Sequence, residues 1–320
     1  MLVAKITAGL VSKPLDIKGK NMASITFVID ESGAKGYSDN REQHEGELGV
    51  LAGILLPEEQ VPTVESDLES IAGNYLSDGK LHITDLESKD QESLRGEIFD
   101  YLLSIRAPWT YEAIYVEGLH DHSQLVASMV NQAKENRRSK IKISGNEKYD
   151  LLHTEMFVGA FGKGVAFCMD HVGHQFHLNV ITDNVDKPIL KEFHESAEHL
   201  LNIGKMSVRK VTGFDPESKK VVTGSISSEI TQGFDALGDF LGVSFEISIS
   251  ESALTLAADV LTNSVHHHLA SLQKYDLGCA LNTQEAIEGH RLAPIVYGVS
   301  GGELDAPQLA DTIFRHPCQS

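Results

Sequence analysis

Ser24-Ile25-Thr26-Phe27-Val28-Ile29-Asp30-Glu31-Ser32-Gly33 is the stretch that decides how the chain is read. Its first six residues are apolar or β-branched, the composition of a buried strand. The strand then ends in two carboxylates and a glycine. Burying a carboxylate without a partner is costly, so something must compensate it. A metal ion does so, and so do the N–H groups of a turn. Taken alone, Asp30-Glu31-Ser32-Gly33 is a turn, because Asp, Ser and Gly are all turn formers. The rest of the chain brings in the other reading.

Downstream lies a polar loop, Ala34 to Gly46, and then a second apolar strand, Glu47 to Leu56, stopped by Pro57. A loop of that length fits an antiparallel return. Pro57 to Leu76 is expected as a helix with Pro57 in its first turn and Val64, Leu68, Ile71 and Tyr75 on one face. A second helix, capped by Ser88, runs to Ile105 with Leu94, Ile98, Tyr101, Leu102 and Ile105 inward. Thr110 to Val116 is a third strand, Leu151 to His171 a largely buried helix, and Gln175 to Ile181 a fourth strand ending in Thr182-Asp183-Asn184. Glycines 159, 162 and 164 with Ala160 allow another backbone close to the buried helix, at some cost in helix propensity. A helix from Pro188 to Ile203, a fifth strand from Ser244 to Ile249, and a helix from Ala253 to Leu272 capped by Ser250 or Ser252 complete the pattern. Residues 118–149 and 204–242 are insertions. In the second, Asp215-Pro216-Glu217-Ser218-Lys219 is a turn signal between two short strands. Residues 1–23 are an arm without clear period, and 273–320 an extension whose role the pattern does not disclose.

The bulk numbers fit a globular chain: 320 residues, 41 % hydrophobic and 23 % charged. That length suits one elaborated domain. No apolar run approaches the roughly 20 residues that span a bilayer, so no membrane partner is expected. Met1 to Lys20 lacks the shape of a signal peptide, and Cys168, Cys279 and Cys318 have no metal spacing or disulfide pattern. A cytoplasmic protein is the expectation. The net charge of −19 argues against nucleic-acid binding by bulk electrostatics, because phosphate contacts need local Lys and Arg. A local source exists: Lys134, Arg137, Arg138, Lys140, Lys142 and Lys148 stand against Glu135 and Glu147 in the first insertion.

The acids fall in telling places. Asp30 ends the first strand, Asp183 the fourth, Glu155 lies in the first turns of the buried helix, and Asp259 lies on the last helix, with Asn263 and His266 following on the same face. If the first and fourth strands are neighbours, Asp30 and Asp183 lie side by side, and the helices can bring Glu155 and Asp259 over the same edge.

The order of elements and the placement of these acids resemble the ribonuclease H-like superfamily. More narrowly, the chain resembles the family called domain of unknown function 3800 over about residues 24–272. The resemblance rests on Asp30 to Gly33 after a strand, on Lys80-Leu81-His82 before the second long helix, on Asp183 at a strand end, and on Ala258-Asp259-Val260-Leu261 in the closing helix. The final helix departs from the family's Leu-Gln-x-Ala-Asp opening, having Leu254-Thr255-Leu256-Ala257-Ala258-Asp259, and the insertion at 204–242 is long.

The resemblance implies an α/β fold with a mixed five-stranded sheet, and a nuclease that hydrolyses phosphodiesters with two Mg²⁺ or Mn²⁺ ions. Such ions, about 4 Å apart, activate a water and stabilise the leaving oxygen, and Mg²⁺ takes oxygen ligands. Asp30, Glu155, Asp183 and Asp259 would be the ligands. His82 would orient the water or protonate the leaving group, and Lys80 would pair with phosphate. Glu31, Asp85, Asn263 and His266 would support them, and Arg137, Arg138, Lys140 and Lys142 would contact nucleic acid.

Each residue also has a plainer role. Asp183 can cap the following helix, Glu155 can complement a helix dipole, and His82 can be a solvated loop residue. His266-His267-His268 points three ways from a helix, so at most His266 reaches the site. Two rival functions stand beside the nuclease: a non-catalytic binding or assembly module, with Lys80 or Arg209 neutralising the acids, and a single-metal hydrolase on His82, Asp85 and the His120-Asp121-His122 cluster. A homodimer through the C-terminal extension is a further open alternative.

Overall fold

The computed structural model describes residues 22–34, 42–75, 82–121, 124, 128, 142–143, 151–202, 207–215, 219–228, 242–272 and 283–298. A five-stranded mixed sheet forms its centre. The strands are β1 (Ala23–Gly33), β2 (Leu48–Pro57), β3 (Trp109–Tyr115), β5 (Phe176–Thr182) and β8 (Val243–Ile249), in the order β3-β2-β1-β5-β8. β1 pairs antiparallel with β2 and parallel with β5, and β5 pairs parallel with β8. β2 is apolar along most of its length because helices cover both its faces, as buried strands require.

One face of the sheet carries α1 (Val61–Ala72), α2 (Ser88–Ile105) and α5 (Ala253–Ser271). The other carries α3 (Leu151–His171) and α4 (Lys187–Leu201). Strand alternation divides β1 between the two: Val28 joins the core beneath α5, and Phe27 and Ile29 join the core beneath α3. Asp30 therefore falls on the α5 face and Glu31 on the α3 face. The glycines of α3 permit its close approach. A Cβ on Gly164 would stand 3.2 Å from the Phe27 ring.

α5 begins where the sequence indicates. Ser252 Oγ accepts from the Leu254 N–H at 3.2 Å, and Thr255 Oγ1 accepts from the Ser252 N–H at 3.0 Å, which closes a capping box. Other expectations need correction. Asp30 to Gly33 is not a turn: β1 runs through it, with Asp30 opposite Ala52 and Gly33 opposite Gly49. Ladder hydrogen bonds along β2 outweigh the turn preference of the individual residues. Pro57 ends β2, and the proline in the first turn of α1 is Pro62. Ser88 is the first helical residue of α2, whose cap position, Glu87, makes no side-chain cap bond. The two insertions contribute β4 (Lys142–Ile143) and the hairpin of β6 (Ser207–Asp215) and β7 (Lys220–Ser228), joined as a second, three-stranded sheet in the order β4-β6-β7. No helix among the described residues is long and apolar enough to cross a membrane.

The C-terminal extension has a visible role. Residues 283–298 clasp the β3 edge: Trp109 Nε1 donates to the Leu292 carbonyl at 2.9 Å, and the Tyr297 N–H donates to the Trp109 carbonyl at 2.7 Å. His290 is the buried knuckle of this clasp, 8 % exposed and packed on Phe99, Trp109 and His268. Its Nδ1 accepts from the Leu292 N–H at 3.2 Å, and its Nε2 lies 3.0 Å from Ser264 Oγ. Burial first, then His268 and Arg95, pushes the ring down from 6.5 to about 4. A folded pKa below the unfolded one means the unfolded chain binds the extra proton. The stability His290 contributes is thus present above about pH 6.5 and lost as pH falls through about 4, a difference of about 3 kcal/mol. Urea unfolding at pH 7 and pH 4 checks this. His290→Gln is expected to lose distinctly less stability between the two pH values than the wild type, and equal losses contradict the assignment.

Candidate functional site

The parallel register of β1 and β5 sets Ile29 opposite Thr182. That pair is the last of the parallel ladder, and Asp30 and Asp183 are the residues that follow it on the two chains. Both fall on the face covered by α5. The axis of α5 follows β1 closely enough for Thr262 Oγ1 to lie 3.2 Å from the Asp30 carbonyl oxygen and 2.8 Å from that of Ala258. One turn earlier on the same helix stands Asp259. Its Oδ2 accepts from the Ile83 N–H at 3.1 Å and lies 3.8 Å from His82 Nδ1. The donor comes from the short 3-10 turn Ile83–Asp85, whose first N–H is left free by the helical pattern.

The electrostatics express this convergence. Burial, then Asp259, with Glu31 and Asp183 adding, pushes Asp30 from 3.8 up to about 8, against a hydrogen bond from the Glu31 N–H. Asp259 is also raised, chiefly by burial, with Asp183 and Asp85 adding and the Ile83 N–H and His82 opposing. Asp30, Asp183 and Asp259 thus share one electrostatic neighbourhood, with Asp85 and His82 at its rim. His82 is 41 % exposed on its side chain, against 18 % for Asp259. It has the freedom to meet a ligand that the aspartates lack.

Farther along β1 the same face carries His266, two helical turns beyond Asp259. Its ring packs against Gly33, where an added Cβ would stand 2.6 Å from His266 Nε2, and it hydrogen-bonds the Leu48 backbone. Gly33 has φ +87°, so both backbone and packing demand glycine. Burial and the neighbouring His267 lower the His266 pKa. His268 faces His290 and His267 is exposed, so the three histidines diverge as helix geometry requires. Asn263 turns to Arg95, whose guanidinium donates to its Oδ1 at 3.2 Å.

The opposite face carries a second polar contact. His153 Nδ1, on α3, is 2.5 Å from Glu31 Oε2, with the histidine side chain 4 % exposed. Sequence reading passed over His153 in favour of Glu155, two residues on. Glu155 is exposed and belongs to α3, the layer of Glu31 and His153, not the layer of the three aspartates. The signal for His153 was a histidine among the apolar positions Leu152, Met156, Phe157 and Ala160, on a helix facing the sheet. His120 sits 3.3 Å from Asp121, next to Leu119 in that same α3-side core, whereas His82 and Asp85 accompany Asp259. Lys80, Arg137, Arg138, Lys140 and His122 lie outside the described residues, and Lys142 is described as part of the β4 backbone.

The groups whose charges act on Asp30 are the carboxylates of Asp259, Glu31 and Asp183, oxygen donors that repel one another. That chemistry fits a hard divalent cation such as Mg²⁺ or Mn²⁺ better than a soft one. Among the described residues no three His, Cys, Asp or Glu side chains already form a cation cage. Mg²⁺ retains several waters and needs one or two protein carboxylates, so a preformed cage is not a requirement. No protein-family model matches the chain, and no curated protein matches its sequence.

Proposed function

We propose that the chain is a divalent-metal-dependent phosphodiesterase acting on nucleic acid, built on the ribonuclease H-like plan and related to the domain of unknown function 3800 family. The observation that carries this reading is the parallel pairing of β1 with β5. It sets Asp30 beside Asp183 on the face where α5 brings Asp259. Asp30, Asp183 and Asp259 would hold Mg²⁺ or Mn²⁺, and the bound metal would supply Lewis-acid stabilisation of the phosphate and a more acidic water.

The chain's own residues have separable tasks. The Ile83 N–H and Thr262 hydroxyl fix Asp259 and the Asp30 backbone, so the carboxylates need little reorganisation. His82, exposed beside Asp259, would carry a proton to the leaving oxygen. His153 is a positioning residue: it holds Glu31, whose N–H bonds the Asp30 carboxyl. His153→Ala is expected to lower Mn²⁺ affinity about 10–100-fold, the usual effect of losing an outer partner. A purely structural role would lower thermal stability and leave the affinity of the folded protein unchanged.

Incubation of the full chain with Mn²⁺ or Mg²⁺ and labelled single- and double-stranded DNA and RNA tests the proposal. Cleavage abolished by chelator and by Asp259→Asn is the expected result. Cleavage unaffected by Asp259→Asn, or no cleavage of any of these substrates, contradicts it. Metal binding without cleavage would favour a non-catalytic binding module.

A further inference from the structure

The acidity of the chain is uneven. Lys134, Arg137, Arg138, Lys140, Lys142 and Lys148 stand against only Glu135 and Glu147 in one stretch. Lys205, Arg209, Lys210, Lys219 and Lys220 stand against only Asp215 and Glu217 in another. Each is net basic in a chain of formal charge −19. They lie far apart in sequence and belong to different insertions. The fold joins them. β4, from the first, pairs antiparallel with β6, from the second, with Lys142 opposite Phe214 and Ile143 opposite Gly213. β6 then pairs along its whole length with β7.

Register sorts the residues of this sheet into two faces. Lys142, Phe214 and Val221 form one row across the three strands. Thr212 and Lys210, at two-residue steps from Phe214, share its face, opposite Thr223 and Ser225. The other face has Ile143, Val211, Val222 and Ile226 together with Arg209 and the Asp215–Lys220 pair, so its cations are accompanied by an acid and by more apolar positions. Val221, on the Lys142 face, is 69 % exposed. At the hairpin tip Lys219 adopts φ +52°, and Lys219 and Lys220 are both exposed.

We propose that the β4-β6-β7 sheet is a binding surface for a nucleic-acid single strand. Cationic positions would take phosphates, hydroxyl positions would add hydrogen bonds, and the aromatic position at 214 would offer a stacking platform. That combination is the chemistry single strands require. The choice of polyanion rests on the phosphodiesterase reading; the basic sheet does not. It also answers the objection from net charge, since phosphate contacts depend on local cations and not on the whole-chain sum.

Binding of a fluorescein-labelled single strand of about 20 nucleotides, as DNA and as RNA, tests the surface. The protein is the full chain in chelator, and anisotropy is followed across a salt series. Lys142→Gln/Lys210→Gln/Lys219→Gln, two positions of one face and the exposed hairpin tip, is expected to weaken binding at least tenfold at low salt and to flatten the salt slope by about 2, three lost contacts at roughly 0.7 each. Lys142→Arg/Lys210→Arg/Lys219→Arg is expected to keep both, which separates lost charge from a disturbed sheet. The glutamine variant is expected to bind Mn²⁺ as the wild type does, so loss of metal chemistry and loss of this surface read out separately. Unchanged affinity and slope in the glutamine variant would overturn the proposal. So would absence of strand binding by the wild type, or displacement of the strand by polyglutamate as readily as by unlabelled oligonucleotide.

Discussion

Asp30→Asn is expected to lower phosphodiester hydrolysis by about 10³-fold or more while making the metal-free protein more stable. The two effects have opposite signs for one reason. Asp30 is held among Asp259, Glu31 and Asp183, and burial with their charges pushes its pKa from 3.8 up to about 8. A folded pKa above the unfolded one means that the stability contributed by the protonated form is full below about pH 3.8 and lost as pH rises through about 8. At pH 7 the native carboxyl must take up a proton that the unfolded chain does not hold. Allowing for partial exposure, this costs about 2–4 kcal/mol. Asparagine removes the charge at nearly constant shape and so lifts the cost. A thousandfold loss of rate corresponds to about 4 kcal/mol of transition-state stabilisation, the scale expected when a ligand to a catalytic metal is neutralised. Steady-state cleavage and urea unfolding on the same preparation check both signs. A variant that loses activity by losing stability would show Asp30 to be a structural residue.

The second large effect lies away from the site. Lys163, on α3, is 1 % exposed, with Nζ 3.2 Å from Glu112 Oε2 and 2.7 Å from the Tyr111 carbonyl, and it lies 5.5 Å from the Tyr111 ring centroid. Glu112, on β3, is itself 6 % exposed. Gly159 is what admits it: a Cβ there would stand 2.6 Å from Glu112 Cγ. Lys163→Ala is expected to destabilise by about 3–5 kcal/mol, because it leaves a buried carboxylate without its cation. Calorimetric melting should show a drop on the order of 10 °C. Lys163→Met/Glu112→Leu is expected to recover most of this, since apolar replacement of both partners of a buried pair is often neutral or favourable. A drop as large in the double variant as in Lys163→Ala would mean that the geometry around Gly159, not the charge, sets the cost.

The elements most legible in the sequence were those whose period and caps agreed. Leu151–His171 came out with its full length because its apolar positions run without interruption, and Ser252 marked the start of α5 through its reciprocal bond with Thr255. Asp30 to Gly33 misled because turn preference is local, whereas the β2 ladder that holds these residues extended comes from more than fifteen residues away. Pairing of β4 with β6 was invisible for the same reason: two-residue strands carry no period. Asp30, Asp183 and Asp259 could be grouped from the order of the strands and the helix that carry them. Their supports could not. The Ile83 N–H and Thr262 hydroxyl act through backbone geometry that leaves no compositional trace, and His153 looked like one more residue of a buried face. Lys163 and Glu112 lie in elements that read as core, where a lysine and a glutamate give no hint of each other.

Calorimetric titration of Mn²⁺ into the metal-free full chain at pH 7, in buffers of different ionisation enthalpy, asks whether Asp30, Asp183 and Asp259 hold a divalent cation. Stoichiometric binding with proton release is expected, because Asp30 gives up its proton to become a ligand, and that binding is expected to be lost in both Asp30→Asn and Asp259→Asn. Absence of binding by the wild type with and without an oligonucleotide, or binding that persists in both variants, would contradict that assignment.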